Sequence, residues 1–288
     1  MSSPLAAIQD GPHASNIRDV VVIGGGQAGL ALGYLLADQG RHFTILEAAD
    51  GPAATWRTRW DSLKLFTPAR HDSLPGLAFP GDPDHYPTRD EVVAYLTEYS
   101  ERFKLPVEYD SPVRAVRREQ DGYVVELDDR TYRADQVVVA TGPFQTPHRP
   151  PIAAGLSPDV VQMHSAEYRS PDALPIGPVL VVGGSNTGFQ IAEELSDSHD
   201  VHLSIGSRQL PLPQRILGRD IFGFLVASGL MAVTRDSRIG RRMRDRTASS
   251  APARAALAAA ASTSMGAPPP RRGRPSASRK VRTWRSPP

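Results

Sequence analysis

A glycine-rich hexapeptide between an apolar run and a helical pattern constrains this chain more than any other feature. Residues 19–24 read Asp-Val-Val-Val-Ile-Gly, which is typical of a fully buried parallel strand. Residues 24–29 follow with the pattern GxGxxG, and residues 28–39 favour a helix that ends near Gly40. Residues 43–47 then predict a second strand. This order predicts a β-α-β unit of about 30 residues.

The glycines of this turn have separate predicted roles in binding a dinucleotide. Gly24 permits a tight turn, Gly26 lets the backbone approach a pyrophosphate, and Gly29 lets the helix pack closely on the strand. Phosphates are favoured at the helix N-terminus by free N–H groups and the helix dipole. Glu47 ends the second strand, where a carboxylate accepts hydrogen bonds from both ribose hydroxyls and disfavours a 2′-phosphate. This unit therefore predicts FAD or NAD as its ligand rather than NADP.

The same order of strand, glycine turn, helix and strand recurs about 160 residues later, at residues 179–205. In the second turn, residues 183–188, Ser185 stands where the middle glycine is expected, and its Cβ would crowd a pyrophosphate. A purely structural strand-to-helix turn therefore stays open as an alternative. Beyond the last strand lies Arg208 rather than an acid, which favours the 2′-phosphate of NADPH, although a solvated surface charge is the alternative.

Between the two units the sequence predicts long loops over residues 48–90, an amphipathic helix over 89–103 and an antiparallel hairpin that turns at Asp121-Gly122. A buried strand over 136–141 and a basic helical stretch beyond Ile216 complete the predicted elements. The absence of cysteine excludes a disulfide scaffold, a thiolate metal site and a cysteine nucleophile, and no histidine spacing suggests a metal site. No run of 18 apolar residues and no secretory leader occur, so we expect a cytoplasmic protein without a membrane span.

The charge is unevenly distributed along the chain. Nine of the 33 basic residues and none of the 31 acidic residues lie in 246–288, so residues 1–245 carry a net charge of −7. That tail is rich in Ala, Pro, Gly and Ser, and it holds too little apolar surface to offset the entropy of ordering. We therefore predict a disordered tail. Its positive charge would bind polyanions weakly, but stacking aromatics are nearly absent, so no specific nucleic-acid partner is expected.

Several further runs resemble the flavin-containing monooxygenases, and most closely their bacterial and YUCCA-like branch. The matching runs are Ala-Thr-Trp-Arg at 54–57, residues 60–68, Val-Ala-Thr-Gly-Pro-Phe at 139–144, residues 164–169 and residues 212–220. Together they cover about residues 18–245. The chain departs from the family pattern at Ala53-Ala54, where the family has Gly-Gly, and after Asp245, where the family's return to its FAD domain is not visible. That departure suggests a truncated chain.

The resemblance implies which residues hold the two cofactors. The implied FAD contacts are Gly24, Gly26, Gln27, Ala28 and Gly29 in the turn, Glu47 at the ribose, Thr55, Trp56 and Arg57 near the flavin, the backbone of Val113 at the adenine, and Ala140, Thr141 and Gly142 where the chain crosses between domains. The implied NADPH contacts are Gly183, Ser185, Asn186, Thr187, Gly188 and Arg208. His164 would be a hinge or a cofactor-positioning residue, with a hydrogen-bonded loop histidine as the alternative.

The resemblance also implies an α/β fold of two Rossmann-like dinucleotide-binding domains and a reaction. We expect a disordered lead-in over 1–17, an FAD domain over 18–146, a connector over 147–175, a partial NADPH domain over 176–245 and the tail from 246. In this family NADPH reduces the flavin, and a C4a-(hydro)peroxyflavin formed with O2 transfers one oxygen atom to a small organic substrate, so no acid–base side chain is assigned as catalytic. The alternatives are a flavin reductase or NAD(P)H oxidase without oxygen insertion, and an inactive truncated remnant.

Overall fold

The computed structural model describes residues 17–206, 214–216, 218–234, 236–237, 241 and 282–284. They form a mixed α/β fold built on parallel strands. The chain divides into two compact units, the first drawn from residues 1–58 and 69–146 and the second from residues 59–68 and 147–288. Each unit contains one of the two β-α-β elements that the sequence predicts.

The first unit contains a six-stranded sheet. Its elements are β1 (Ile17–Ile23), α1 (Gln27–Asp38), β2 (Phe43–Leu46), α2 (Ala54–Arg57), α3 (Arg89–Arg102), β3 (Val107–Glu108), β4 (Ala115–Glu119), β5 (Gly122–Glu126) and β6 (Thr131–Val139). The strand order is β3-β2-β1-β6-β5-β4. The strands β3, β2, β1 and β6 are parallel, whereas β4 and β5 form the predicted antiparallel hairpin.

The core of this unit lies around β1 and β2. Val20, Val21 and Val22 are at most 2% exposed, so both faces of β1 are covered, as the continuous apolar run predicts. The helix α1 packs closely on this sheet because Gly33 carries no side chain: a Cβ there would lie 2.7 Å from Cδ1 of Ile45. The predicted strand, glycine turn, helix and strand are thus confirmed within one or two residues at each boundary.

The helix α3 and the long loops before it support each other. Thr88 caps α3 and forms a capping box with Glu91, while Val92, Leu96 and Tyr99 lie buried on the predicted apolar face. The hydroxyl of Tyr99 donates to the carbonyl of Pro75 at 2.6 Å, which ties the preceding loop to the helix. The predicted amphipathic helix is confirmed, and the loop region also contains the short helix α2, which was not predicted.

The second unit contains a smaller parallel sheet. Its elements are β7 (Pro178–Val182), α4 (Asn186–Leu195), β8 (Asp200–Ser204), β9 (Arg215–Ile216), β10 (Arg219–Asp220), α5 (Ile221–Ala227) and β11 (Arg282–Trp284). The strand order in the sheet is β11-β8-β7, and all three strands are parallel. Val201 and Leu203 of β8 are at most 1% exposed. The second predicted β-α-β unit is therefore confirmed.

The compact units and elements of the structure differ from the expected segments in three places. Residues 59–68, placed by sequence in the FAD domain, belong to the second unit, as do the connector residues 147–175. The predicted basic helix beyond Ile216 is, in the described residues, a two-strand turn followed by the short apolar helix α5. Residues 282–284, within the tail for which composition predicts disorder, form the strand β11. The rest of that tail and residues 1–16 lie outside the described residues.

Two further findings concern only the residues that the structure describes. In that part of the chain no helix is long and apolar enough to cross a membrane. Nor do three or more His, Cys, Asp or Glu side chains of the described ranges lie close enough together to hold a metal ion.

Candidate dinucleotide-binding sites

The first glycine turn requires glycine at two positions for different reasons. Gly24 has a φ of +109°, and a Cβ on it would lie 2.5 Å from the carbonyl oxygen of Ala140. A Cβ on Gly29 would lie only 1.9 Å from the carbonyl oxygen of Gly24. The turn thus brings Ala140, which follows β6, against Gly24, which follows β1. In contrast, a Cβ on Gly26 would meet no atom within 4 Å, so the backbone there faces open space.

The N-terminus of α1 is available to an anion. Within the described residues, no side chain caps this helix, and its first turn carries no acidic residue. The N–H groups of a first helical turn lack partners inside the helix, and the helix dipole adds partial positive charge at the same point. The open space at Gly26 lies at this end of the helix, because Gly26 is its N-cap residue. This arrangement is what a pyrophosphate requires.

Glu47 lies directly beside the turn. One carboxylate oxygen accepts the N–H of Gly25 at 2.7 Å, and the other accepts the N–H of Ala49 at 3.0 Å. Each oxygen of a carboxylate has two acceptor positions, so both oxygens of Glu47 keep one for a ligand hydroxyl. Glu47 thus lies next to the glycine turn, and its contact with a ribose stays a prediction.

The helix α2 is tied to the start of α1. The indole Nε1–H of Trp56 donates to Oε1 of Gln27 at 3.1 Å, which connects two of the predicted site residues. Arg57 donates to Asp50 at 2.7 Å, and this hydrogen bond lowers the pKa of the Asp50 carboxyl. The side chain of Thr55 is exposed. Of the three predicted residues in α2, Trp56 thus contacts the glycine turn directly, through Gln27.

Ala53, the residue before α2, has a left-handed backbone with a φ of +53° and is buried. This conformation costs a non-glycine residue about 1–2 kcal/mol. The structure therefore explains why glycine suits this position, where the sequence of this chain departs from the family pattern.

The remaining predicted FAD contacts lie at the end of β6 and before β4. The N–H of Ala140 donates to the carbonyl of Ile23 at 2.8 Å, Thr141 is half-buried, and Gly142 has a φ of +75°. The side chain of Val113 packs against a core cluster that includes Tyr132.

The second glycine turn repeats the geometry of the first. Gly183 has a φ of +126°, and a Cβ on Gly188 would lie 1.9 Å from the carbonyl oxygen of Gly183, the same distance as in the first turn. Ser185 is the N-cap of α4, no side chain among the described residues caps that helix, and Ser185 and Asn186 are exposed. Thr187 is half-buried. Arg208, the predicted partner of a 2′-phosphate, lies outside the described residues.

His164 lies in the second unit, inside a tight turn. Its Nδ1 accepts the N–H of Ala166 at 3.1 Å, so a neutral ring carries its proton on Nε2. Its own N–H donates to Glu167 at 2.6 Å, and Glu167 also pairs with Arg149 at 2.7 Å. The next residue, Tyr168, is buried and donates to Glu194 at 2.7 Å. These local bonds favour the loop-histidine alternative, and the hinge role of His164 stays a prediction.

Comparison with known proteins decides the family. Residues 21–212, about two thirds of the chain, match the family described as pyridine nucleotide-disulphide oxidoreductase. The chain belongs to this family. The matched region begins within β1 and contains both glycine turns and the whole second β-α-β element.

The chain is also similar to individual curated proteins and solved structures. The chain is 44% identical over 226 residues to an uncharacterized CzcO-like oxidoreductase of Geobacillus kaustophilus, covering 78% of this chain and 65% of that protein. It is 35% identical to the indole-3-pyruvate monooxygenase YUCCA1 of Oryza sativa subsp. japonica, covering 73% and 53%. A flavin-containing monooxygenase structure from Stenotrophomonas maltophilia matches with a TM-score of 0.66 and 32% identity, covering 76% and 68%. These likenesses confirm the resemblance to flavin-containing monooxygenases.

This chain differs from what the family description suggests in its length and in its cysteine content. The chain spans between about half and two thirds of the length of the curated relatives it matches. It also contains no cysteine, so thiol–disulfide exchange has no group to act through in these 288 residues.

Sequence reasoning missed one group of side chains next to the first glycine turn. The carbonyl of Glu108 accepts the N–H of Glu47 at 2.9 Å, and the carboxylate of Glu108 forms hydrogen bonds with side chains from three other parts of the sheet. These partners lie up to 64 residues away along the chain, so no local spacing connects them.

Proposed function

We propose that this chain belongs to an FAD- and NADPH-dependent monooxygenase that transfers one oxygen atom from O2 to a small organic substrate. The observation that carries this proposal is the first glycine turn, where Glu47 bonds to Gly25 beside the open N-terminus of α1. The likeness to flavin monooxygenases at 32–35% identity supports the same reaction class. Bound FAD, once reduced by NADPH, supplies the activation of O2.

The residues of the first unit fit FAD. Gly26 leaves room for the pyrophosphate at the start of α1, and Glu47 retains acceptor positions for the ribose hydroxyls. Trp56 presents a rigid aromatic body that is held by its bond to Gln27. In this proposal Thr55, Trp56 and Arg57 orient the flavin side of the cofactor, and the backbone of Val113 contacts the adenine.

The residues of the second unit fit a second dinucleotide, which we assign as NADPH. Residues 183–188 repeat the close packing of the first turn, and the N-terminus of α4 carries no acidic residue among those described. Ser185 has a Cβ where the first turn has Gly26, and its exposed hydroxyl is free to donate to a phosphate oxygen. The choice of NADPH over NADH rests on Arg208, whose guanidinium suits a 2′-phosphate.

This chain's residues have binding and orienting tasks rather than acid–base tasks in the proposed reaction. Backbone N–H groups hold both cofactors, the Glu47 carboxylate binds the FAD ribose, and the Arg208 guanidinium binds the 2′-phosphate of NADPH. No titratable side chain is assigned to proton transfer. The substrate class is a small molecule with a carbonyl group or a soft nucleophilic atom. The name of the rice relative makes indole-3-pyruvate the first compound to test.

The decisive experiment measures four quantities on the FAD-loaded chain under air: NADPH oxidised, O2 consumed, hydrogen peroxide released and oxygenated product formed. A monooxygenase gives product in proportion to NADPH when its substrate is present. Peroxide formation equal to NADPH consumption with every substrate would instead support the flavin reductase or oxidase alternative. A chain that binds FAD but oxidises no NADPH would contradict an active enzyme and support the remnant alternative.

A further inference from the structure

A cluster of five hydrogen-bonded side chains lies in the first unit, outside the glycine turn. Its members are Thr44, Glu108, Ser111, Arg130 and Tyr132. The carboxylate of Glu108 accepts Thr44 Oγ1 at 2.8 Å, Tyr132 Oη at 2.6 Å and Arg130 Nη2 at 3.2 Å. Thr44, Ser111 and Tyr132 are at most 3% exposed. Glu108 and Arg130 are half-buried. Displacing the buried hydroxyl groups of the cluster would leave polar atoms unpaired, which favours a single geometry.

Arg130 connects this cluster to the segment that follows β3. Its Nη2 donates to Oγ of Ser111 at 2.7 Å, while Oγ of Ser111 donates to the carbonyl of Tyr109 at 2.8 Å. The N–H of Ser111 donates to the carbonyl of Glu47 at 2.8 Å. One guanidinium, in the turn between β5 and β6, therefore fixes the backbone of residues 109–111 against the residue that carries the predicted ribose contact.

The adenine contact assigned to Val113 lies two residues further on. The side chain of Val113 packs against the core cluster that contains Tyr132. The segment is therefore fixed at Ser111 by a hydrogen bond and at Val113 by apolar packing. The N–H of Asp110 also donates to the carbonyl of Ala49 at 2.9 Å. Backbone hydrogen bonds thus join residues 47–49 to residues 109–111, and the Arg130 guanidinium bonds to this segment through Ser111.

We propose that Arg130 and Ser111 are positioning residues for the adenosine half of FAD. They act through the backbone of residues 109–113 and hold it beside Glu47, without contact to the flavin or to the substrate. This inference rests on the proposed function, because it needs FAD in the first unit. It assigns a role to side chains that the cofactor motifs leave unexplained.

The test compares the wild-type chain of 288 residues with Ser111→Ala, Arg130→Met and the control Arg133→Met. Arg133 lies on the same strand as Tyr132 but forms an exposed ion pair with Glu119 at 2.7 Å, outside the cluster. We measure the FAD dissociation constant by fluorescence quenching, and the inhibition constant of AMP in competition with FAD, which restricts the AMP readout to the FAD site. NADP+ affinity and far-UV circular dichroism report on the rest of the fold.

Both constants are expected to rise about tenfold in Ser111→Ala and Arg130→Met, and to stay unchanged in Arg133→Met. NADP+ affinity and the dichroism spectrum should match the wild type. Unchanged FAD and AMP constants in folded Ser111→Ala would overturn the inference, as would an equal loss of NADP+ affinity, which indicates general damage. If Arg130→Met does not fold, Ser111→Ala decides alone. A wild type that binds no FAD overturns the proposed function, and this inference with it.

Discussion

The carboxylate of Glu47 accepts the backbone N–H of Gly25 at 2.7 Å, which ties the acid at the end of β2 directly to the glycine turn at the end of β1. The two groups are 22 residues apart along the chain. Because β1 and β2 are parallel neighbours, their carboxyl ends lie at the same edge of the sheet. The proposed ribose acceptor and the proposed pyrophosphate turn are therefore held next to each other by the protein alone.

The first prediction concerns this carboxylate. Glu47→Gln should raise the FAD dissociation constant about tenfold or more, because the amide NH2 group would face a backbone N–H and lose acceptor positions. Fluorescence titration with FAD measures the change. Glu98→Gln, on the exposed face of α3, is the charge-matched control and should bind FAD like the wild type. Equal FAD affinity in Glu47→Gln and wild type would contradict the ribose assignment.

The second prediction separates two glycines of the same turn. Gly29→Ala should lower the free energy of unfolding by about 3 kcal/mol or more, because its Cβ would overlap the carbonyl oxygen of Gly24. Gly26→Ala should change it by less than about 1 kcal/mol, since the new methyl group meets open space. Gly26→Ala should nevertheless weaken FAD binding about tenfold, because the methyl group occupies the pyrophosphate position. Urea unfolding and FAD titration test both variants. Normal FAD binding by Gly26→Ala would contradict the placement of the pyrophosphate at this residue.

The third prediction concerns the nicotinamide cofactor. Arg208→Ala should lower the ratio of NADPH to NADH efficiency about tenfold, because it removes a charge-assisted bond to the 2′-phosphate. Steady-state oxidation of both nucleotides by the FAD-loaded chain measures that ratio. An unchanged ratio would favour the alternative that Arg208 is only a solvated surface charge.

The fourth prediction is a pH dependence at Glu108. Burial raises the pKa of Glu108, but hydrogen bonds from Tyr132, Thr44 and Arg130 outweigh it, so the pKa lies below its ordinary value of 4.5. A carboxyl with a depressed pKa stabilises the folded state above its unfolded pKa, and this contribution disappears as the pH falls through the folded pKa. Glu108→Gln should therefore destabilise the chain more at pH 7 than at about pH 3. Urea unfolding at both pH values measures the difference, and equal destabilisation at both would contradict an ionised, bonded Glu108.

Local sequence patterns predict much of the fold and both glycine turns. The apolar run of β1, the helix-forming run of α1 and the capping box of α3 each depend on residues within a few positions, so periodicity and composition reveal them. The position of Glu47 also follows from the sequence, because parallel strands bring their carboxyl ends together.

Other features depend on pairs far apart in the chain, and the sequence does not reveal them. Residues 59–68 lie in the second unit, where Gln190 bonds to both backbone groups of Lys64, 126 residues away. The bond between Arg130 and Ser111 likewise joins residues 19 positions apart across the sheet. The strand β11 lies in a tail whose composition opposes order, and its pairing with β8 is a tertiary contact.

Binding of FAD by the first unit is tested most directly by the visible absorbance spectrum of the purified chain. We expect flavin bands at about 370 nm and about 450 nm, at one FAD per chain, that bleach when NADPH is added. A colourless chain that takes up no added FAD, despite a folded far-UV spectrum, would contradict it.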